Sequence, residues 1–279
     1  MQTFQFNQVR SLGEKIEFTF SFWAKNFKTI LISVLTLATP FFLIGGGFSA
    51  YATTSILKAG NAGPTAALAV YSDPYFYIGF IFSMFGYVLL SAMATSMVKV
   101  YLDKELEFTV SNIRSKTLSI TPKIIGTTFI VGFFVSLATL MFIIPGIYLA
   151  IAYAVVVPVL IFEETTMDGA LDKSRKLVKG NWWSTLGFLL IFGFISSLVN
   201  YVFGFVGGIV TGVEAASITA SGSEVADSYT TLMIIVSGFS SLVSPIFTIL
   251  MQIGTVVLYF SLKEQKEATS LLKEAESMA

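Results

Sequence analysis

The chain has no cysteine and no histidine among its 279 residues. These absences exclude a disulfide, a thiolate nucleophile, a histidine-containing catalytic triad and an imidazole metal ligand. We therefore predict a protein that is not an enzyme and that has no cofactor, no metal site and no catalytic residue. The net charge is zero, so the overall charge does not predict nucleic acid as a partner.

Charged residues are scarce, and long apolar runs take their place. Asp, Glu, Lys and Arg make up 12% of the chain, whereas a soluble domain has roughly 25%. Hydrophobic residues reach 54%, 27 residues are phenylalanine, and the mean hydropathy is +0.79. This composition predicts a polytopic membrane protein, because so much apolar surface needs lipid around it.

Six uncharged runs are long enough to cross a bilayer, since a helical span needs about 20 apolar residues. The runs are residues 29–51, 75–98, 124–144, 146–162, 183–210 and 232–260. We predict an all-α fold with six transmembrane helices in a single membrane domain over residues 1–279. In this domain, residues 1–28 form a cytoplasmic amphipathic helix, residues 29–260 form the six spans, and residues 261–279 form a cytoplasmic tail helix.

The basic residues predict the orientation of these spans. Every Lys and Arg except Lys58 lies before span one or after span two, four or six. Short cytoplasmic loops carry the excess of basic residues in membrane proteins. We therefore predict that both termini are cytoplasmic and that the protein is a multi-pass component of a bacterial inner membrane.

Amphipathic stretches precede spans one, three and five. Near the N-terminus, apolar residues recur every three or four positions at Val9, Leu12, Ile16, Phe20, Trp23 and Phe27. The middle stretch, residues 103–121, is less regular. The third begins at a predicted cap, Thr166, and ends at Gly180. We interpret these stretches as cytoplasmic interfacial helices, with the alternative that they merely connect the spans.

The third amphipathic stretch carries a cluster of basic residues. Its members are Lys173, Arg175, Lys176 and Lys179. We predict that they contact lipid headgroups or a protein partner. Glu163 and Glu164 lie at the end of span four, within reach of this basic helix. We interpret them as helix-capping residues or ion-pair partners rather than metal ligands.

Glycine and proline mark further candidate positions within the spans. Gly204, Gly208 and Gly212 recur every four residues, which is typical of close helix packing, either within the monomer or between subunits. Three prolines are predicted to kink or interrupt spans one, four and six and to free backbone carbonyls for a polar cavity. They are Pro40, Pro158 and Pro245.

Helix ends give three local predictions. Asp73 and Pro74 are expected to begin the second span, and Pro122 the third. The triplet Gly45-Gly46-Gly47 lacks the Lys and Ser/Thr of a phosphate-binding loop. We interpret this triplet as a flexible helix end.

One longer motif string resembles a known family. The string comprises Ile144-Pro145-Gly146-Ile147-Tyr148, Pro158-Val159-Leu160, Glu163-Glu164 and Gly180-Asn181-Trp182-Trp183. It resembles the membrane domain attached to some glycerophosphoryl diester phosphodiesterases, and bacterial inner-membrane proteins of the YciC-like kind. In those enzymes the activity belongs to a separate soluble domain that uses histidine and metal-binding carboxylates. Since this sequence has no histidine, the resemblance implies a membrane fold and no reaction.

These observations favour a non-enzymatic membrane protein. We predict a scaffold or accessory component that organises lipids or a protein partner, with self-association as one form of partnership. The alternative is a transporter or lipid-handling protein with a substrate path between proline-kinked helices. A polar cavity beside one of the three prolines would favour the alternative.

Overall fold

The computed structural model describes residues 4–58, 68–221 and 227–278. Within these ranges it describes the side chains except those of residues 57–58, 199–200, 203–204, 206–208, 210–221, 227–230, 233 and 269–278. The described residues form helices and contain no strand, so the all-α prediction is confirmed for them. The helices are α1 (Leu12–Lys25), α2 (Phe27–Leu37), α3 (Thr39–Lys58), α4 (Pro74–Leu102), α5 (Val110–Met141), α6 (Ile143–Ala152), α7 (Val156–Phe162), α8 (Met167–Val178), α9 (Trp182–Ser221) and α10 (Asp227–Met278).

Four helical segments are long and apolar enough to cross a membrane: Pro74–Leu102, Val110–Met141, Ile143–Phe162 and Ile234–Ala268. Two bent pairs also qualify if each pair is one span. Phe27–Leu37 and Thr39–Ile56 meet at 50°, and Met167–Val178 and Trp182–Leu198 meet at 100°. The described part of the chain therefore contains four to six candidate spans, as expected of a multi-pass membrane protein.

Local capping agrees with the sequence in most places. Asp73 Oδ1 accepts a hydrogen bond from the Tyr75 amide at 2.8 Å, and Pro74 is the first residue of α4. Thr166 Oγ1 accepts from the Gly169 amide at 3.3 Å at the start of α8. Gly180 follows α8 with a φ of 89°, a conformation that glycine adopts without a steric penalty. These three helix boundaries are confirmed.

The prediction that Pro122 begins a helix is wrong. Helix α5 starts at Val110, where Thr109 is the cap, and runs unbroken through Pro122. Residues 103–121 therefore do not form a separate interfacial helix. A proline removes only one backbone hydrogen bond, and α5 buries Ile113, Ile120 and Ile124 on both sides of it. Packing of this continuous face outweighs the local preference for a helix end.

The chain divides into two compact units. The first contains Met1–Ser33, Val88–Gly193 and Ile249–Ala279. In it, the N-terminal segment and α1 contribute Phe4, Phe6 and Phe22 to an aromatic cluster around Tyr101, with ring centroids 5.3 to 6.0 Å from the tyrosine. Edge-to-face rings at such distances add about 0.5–1.5 kcal/mol per pair beyond the area they bury.

The buried face of α1 is not the apolar stripe that the sequence predicts. Lys15, Thr19 and Phe22 are buried, whereas Phe20 and Phe27 remain more than a third exposed. The capping box between Ser11 and Glu14 fixes the start of the helix. Part of the predicted stripe also packs against the protein, because Phe20 stacks on Phe192 of α9 with ring centroids 6.2 Å apart.

The second unit contains Val34–Tyr87 and Phe194–Thr248. Here α3 and α4 approach each other at glycine. A Cβ on Gly45 would lie 2.8 Å from the Gly79 carbonyl oxygen, and a Cβ on Gly79 would lie 2.7 Å from the Gly45 carbonyl oxygen. The predicted flexible helix end at Gly45-Gly46-Gly47 is wrong, because these residues lie inside α3. The close approach of the two backbones explains why a glycine is needed there.

The first unit also contains a hairpin with an apolar turn. Helices α5 and α6 are separated by Phe142 alone, and residues 140–144 are 67–85% exposed. The Phe142 amide donates to Ala138 O at 2.9 Å, and the Gly146 amide donates to Phe142 O at 3.3 Å. These two turn amides are thus paired within the hairpin, whereas the described residues provide no hydrogen bond to the amides of Ile143 and Ile144 at the start of α6.

Candidate functional site

Helix α8 presents one face to the protein and another to solvent. Ala170, Ser174, Leu177 and Val178 are buried, and Ser174 Oγ donates to the Ala152 carbonyl of α6 at 2.9 Å. The apolar stripe predicted for this helix is therefore a packing surface within the first unit. Its basic residues lie around the rim of that surface.

Glu163, directly after α7, is the centre of a polar cluster. Its carboxylate pairs with Lys173 of α8, accepts from the Tyr259 hydroxyl of α10 at 2.9 Å, and lies 3.7 Å from Lys263 Nζ. We call these four residues the Glu163 cluster. Burial alone would raise the pKa of Glu163, but the hydrogen bonds from Lys173 and Tyr259 and the charges of Lys173 and Lys263 hold it below its ordinary value.

The neighbouring carboxylate joins a different helix. Glu164 Oε1 lies 3.0 Å from Lys99 Nζ at the end of α4, and Lys99 also donates to the Ile161 carbonyl at 3.4 Å. The hydrogen bond from Lys99, followed by its charge, lowers the pKa of Glu164. Glu163 and Glu164 are thus ion-pair partners, as predicted, and the residues that the structure describes contain no group of three possible metal ligands.

Two basic residues of α8, Arg175 and Lys176, and Lys179 directly after the helix line a groove of about 310 Å³. We call it the basic groove; its polar and aromatic lining comprises Tyr148, Arg175, Lys176, Lys179 and Trp182. The rings of Tyr148 and Trp182 stack with centroids 6.1 Å apart. Two aromatic residues beside three cations are typical of the boundary between headgroups and hydrocarbon.

A fourth cation reaches the same place from α10. Lys266 Nζ donates to the Lys179 carbonyl at 2.8 Å. One acidic residue offsets part of this charge, because Asp172 pairs with Lys176 at 2.6 Å. The four basic residues predicted as one group are therefore divided. Lys173 belongs to the Glu163 cluster, and Arg175, Lys176 and Lys179 belong to the basic groove.

A second cavity of about 270 Å³ lies inside the first unit, where α6 ends and α7 begins. We call it the Pro158 cavity. Its polar residues are Ser91, Thr95, Gln252 and Thr255; its other lining residues are Ala150, Ala154, Val157, Pro158, Leu189, Met251 and Val256. The helix is broken at residues 153–155. Pro158 has no amide hydrogen for the Ala154 carbonyl, its usual partner four residues back.

The other predicted prolines lie in different settings. Pro40 is the second residue of α3, just after the break that separates α2 from α3. Pro245 lies inside α10, which continues unbroken through it, so the interruption predicted there is wrong. Gly204, Gly208 and Gly212 belong to α9, but their surroundings lie outside the described residues.

The sequence analysis did not identify two residues of interest, Gln252 and Lys15. Gln252 is a carboxamide inside the sixth uncharged run. A polar amide in such an apolar run could have indicated a polar cavity from the sequence alone. Lys15 lies outside the apolar stripe predicted for α1, yet it is 4% exposed. Burial lowers the pKa of its ammonium group. No sequence signal distinguishes Lys15 from the exposed lysines around it.

Comparison with protein-family models, curated proteins and solved structures gave no match to the chain. The resemblance to the membrane domain of glycerophosphoryl diester phosphodiesterases therefore stays a prediction that rests on its motif string.

Proposed function

We propose that this protein is a non-enzymatic membrane component that holds anionic lipid through the basic groove and so organises lipid or a partner around it. The basic groove is the observation that carries this proposal. It combines Arg175, Lys176 and Lys179 with a stacked aromatic pair at the point where α9 begins. Trp183, next in the chain, is 78% exposed, as suits an aromatic ring in the interfacial region.

Charge and location favour a lipid phosphate as the occupant. The cations at the groove outnumber the single carboxylate, Asp172, that the described residues place among them. A phosphate group accepts several hydrogen bonds, and Arg175 can offer two from one guanidinium. Each basic residue near an anionic membrane surface contributes about 1 kcal/mol of attraction.

Removing the charge of the groove should weaken lipid retention strongly. We expect the triple variant Arg175→Gln, Lys176→Gln, Lys179→Gln to lose about 3 kcal/mol of attraction, or roughly 100-fold in affinity for phosphatidylglycerol. Native mass spectrometry of the detergent-solubilised protein during a lipid titration measures this loss. Phosphatidylcholine, titrated in parallel, tests whether the anionic charge is required.

The matched control removes three cations of α5 that lie outside the groove: Arg114→Gln, Lys116→Gln and Lys123→Gln. It should leave lipid affinity nearly unchanged. An equal loss in both triple variants would contradict the groove as a site and would indicate attraction by overall charge. Displacement of the lipid by inorganic phosphate would identify a soluble phosphate compound as the occupant instead.

We further propose six spans with both termini cytoplasmic, on the strength of the basic residues. Single cysteines can be introduced freely, since the chain has none. We expect an impermeant thiol reagent to label Ser72→Cys in intact cells, and Ser115→Cys only after the membrane is opened. Both serines are exposed. Labelling of Ser115→Cys from outside would contradict the orientation.

The apolar turn between α5 and α6 gives the same experiment a third site. Residues 124–141 extend about 27 Å at roughly 1.5 Å per residue, slightly less than a hydrocarbon core of about 30 Å. We expect an impermeant reagent to label Leu140→Cys from outside, but more slowly than Ser72→Cys, because the apolar turn joins the third and fourth spans at the outer edge of the hydrocarbon. Labelling only after the membrane is opened would contradict six spans.

The Pro158 cavity favours a second candidate function, the passage of a small solute or lipid group between kinked helices. It is a largely apolar space with four polar side chains, and it lies beside a broken helix, as in many transporters. This candidate predicts that vesicles containing the protein take up erythritol faster than protein-free vesicles, measured by light scattering. Ala154→Leu should abolish the difference by filling the cavity. Equal uptake with and without the unaltered protein would contradict passage of this solute.

A further inference from the structure

We infer that the Pro158 cavity is a binding site for a small uncharged solute that is rich in hydrogen-bond donors, such as a short polyol. The inference requires neither movement of the solute across the membrane nor lipid in the basic groove. It stands on the cavity, its hydrogen-bonding groups and the helices that hold its shape.

Gln252 is the main argument for a ligand. Its carboxamide offers two donors and an acceptor, and the described part of the chain provides no hydrogen-bond partner for it. The residue lies within the apolar segment Ile234–Ala268, where an unsatisfied amide is costly. A carboxamide at the wall of a cavity is therefore a group that needs water or a solute beside it.

The other polar groups define what that solute must offer. Thr95 Oγ1 already donates to the Ser91 carbonyl at 2.9 Å, and Thr255 Oγ1 donates to the Met251 carbonyl at 3.0 Å. Each hydroxyl oxygen keeps its lone pairs and can only accept from a ligand while those bonds persist. The Ala154 carbonyl is a further acceptor. Most of the wall is apolar, and Gln252 and Ser91 can also donate. Acceptors still outnumber donors among its polar groups, which favours a solute with several O–H or N–H donors.

Charge and volume limit the solute further. No lining residue carries a formal charge, so a charged solute would be buried without a counter-ion. The volume of about 270 Å³ lies just below the ~300–1,000 Å³ range of ligand pockets. It corresponds to about nine water molecules at roughly 30 Å³ each. A compact uncharged molecule fits, whereas the phosphate of a phospholipid headgroup would lack a counter-ion there.

The Glu163 cluster and the Glu164–Lys99 ion pair hold one end of this cavity in place. Thr95 and Thr255 lie four residues before Lys99 and Tyr259, so each pair shares a helix face about one turn apart. Lys99 and Tyr259 bind Glu164 and Glu163, which follow the helix that contains Pro158. These contacts fasten α4 and α10 to the end of α7. The walls of the cavity are therefore preorganised rather than formed by the solute.

Two adjacent leucines on α9 provide a matched test. Leu189 lines the cavity, whereas Leu190 is 62% exposed on the apolar outside. In reconstituted vesicles we expect methyl methanethiosulfonate, a small neutral reagent, to modify Leu189→Cys roughly 10-fold faster than Leu190→Cys, since reaction needs a thiolate and a thiolate needs water. Equally slow modification of both variants would overturn the inference, because the cavity would be closed and dry.

Protection by a solute tests the ligand class. Erythritol should slow the modification of Leu189→Cys, and betaine at the same osmolarity should not. Adding Gln252→Leu to the Leu189→Cys chain should remove the protection. Thr255→Val provides a smaller change at a second wall, should Gln252→Leu fail to fold. Absence of protection in the Leu189→Cys chain, equal protection by betaine, or protection that survives both substitutions would overturn the inference.

Discussion

Glu163→Gln is expected to lower the free energy of unfolding by about 2 kcal/mol, less than the roughly 3–5 kcal/mol for a fully buried ion pair, because the partner Lys173 is 43% exposed. The carboxylate is 15% exposed and has contacts from Lys173, Tyr259 and Lys263. A neutral amide leaves Lys173 without its counter-ion, leaves Lys263 with Glu267 alone at 3.8 Å, and cannot accept from all three donors. Tryptophan fluorescence during unfolding in mixed detergent micelles measures the loss.

An exposed ion pair within α8, Asp172 with Lys176, provides the control. Asp172→Asn removes the partner of Lys176, but both side chains are more than half exposed. Pairs of this kind contribute about 0.3–0.5 kcal/mol. If Glu163→Gln cost no more than Asp172→Asn, the Glu163 cluster would not be what joins α7, α8 and α10.

The same carboxylate should make stability depend on acid. Because the pKa of Glu163 is lowered by folding, its contribution is present above its unfolded value of about 4.3 and disappears as pH falls through the folded value. The difference in stability between the unaltered protein and Glu163→Gln should therefore shrink at acidic pH. A difference that stayed constant down to strongly acidic pH would contradict a paired, charged Glu163.

The sequence predicted the elements that depend on composition and on near neighbours. The uncharged runs form helices because a segment in lipid must satisfy its own backbone hydrogen bonds, and a helix does so within the run. Capping at Asp73 and Thr166 was predictable, since the partner of a cap lies two or three residues away. The ion pairing of Glu163 with Lys173 followed from charge and proximity along the chain, whereas Lys99, the partner of Glu164, lies 65 residues away.

Features that depend on distant contacts were not predictable. Pro122 marks a helix start by local preference, but the buried face of α5 extends through it. The glycine triplet around Gly45 is typical of a flexible helix end, but Gly45 lets α3 approach Gly79 of α4 closely. Lys173 and Lys176 are near neighbours on one helix, and only the position of Glu163 separates their roles. The Pro158 cavity likewise needs five helices to define it, although Pro158 itself indicated the break.

Gly146→Ala is expected to destabilise the α5–α6 hairpin by about 3 kcal/mol, the upper part of the usual range for overpacking. A Cβ on Gly146 would lie 2.7 Å from Thr139 Cα and 2.8 Å from Thr139 Cβ, and it would also meet Thr139 Oγ1. A change of rotamer can move the hydroxyl but not the backbone carbon. The substitution therefore forces the two helices apart at their turn.

Two further variants separate this clash from a general intolerance of alanine. Gly132→Ala, also in this hairpin, meets nothing within 4 Å and should stabilise α5 by up to about 1 kcal/mol through helix propensity. Thr139→Ala combined with Gly146→Ala should not restore stability, since Cα and Cβ of residue 139 remain. Full rescue by the double variant would show that only the hydroxyl was in the way. A large loss without rescue would explain physically why glycine follows Pro145 in the motif string, because only a residue without a side chain lets α6 turn back so closely along α5.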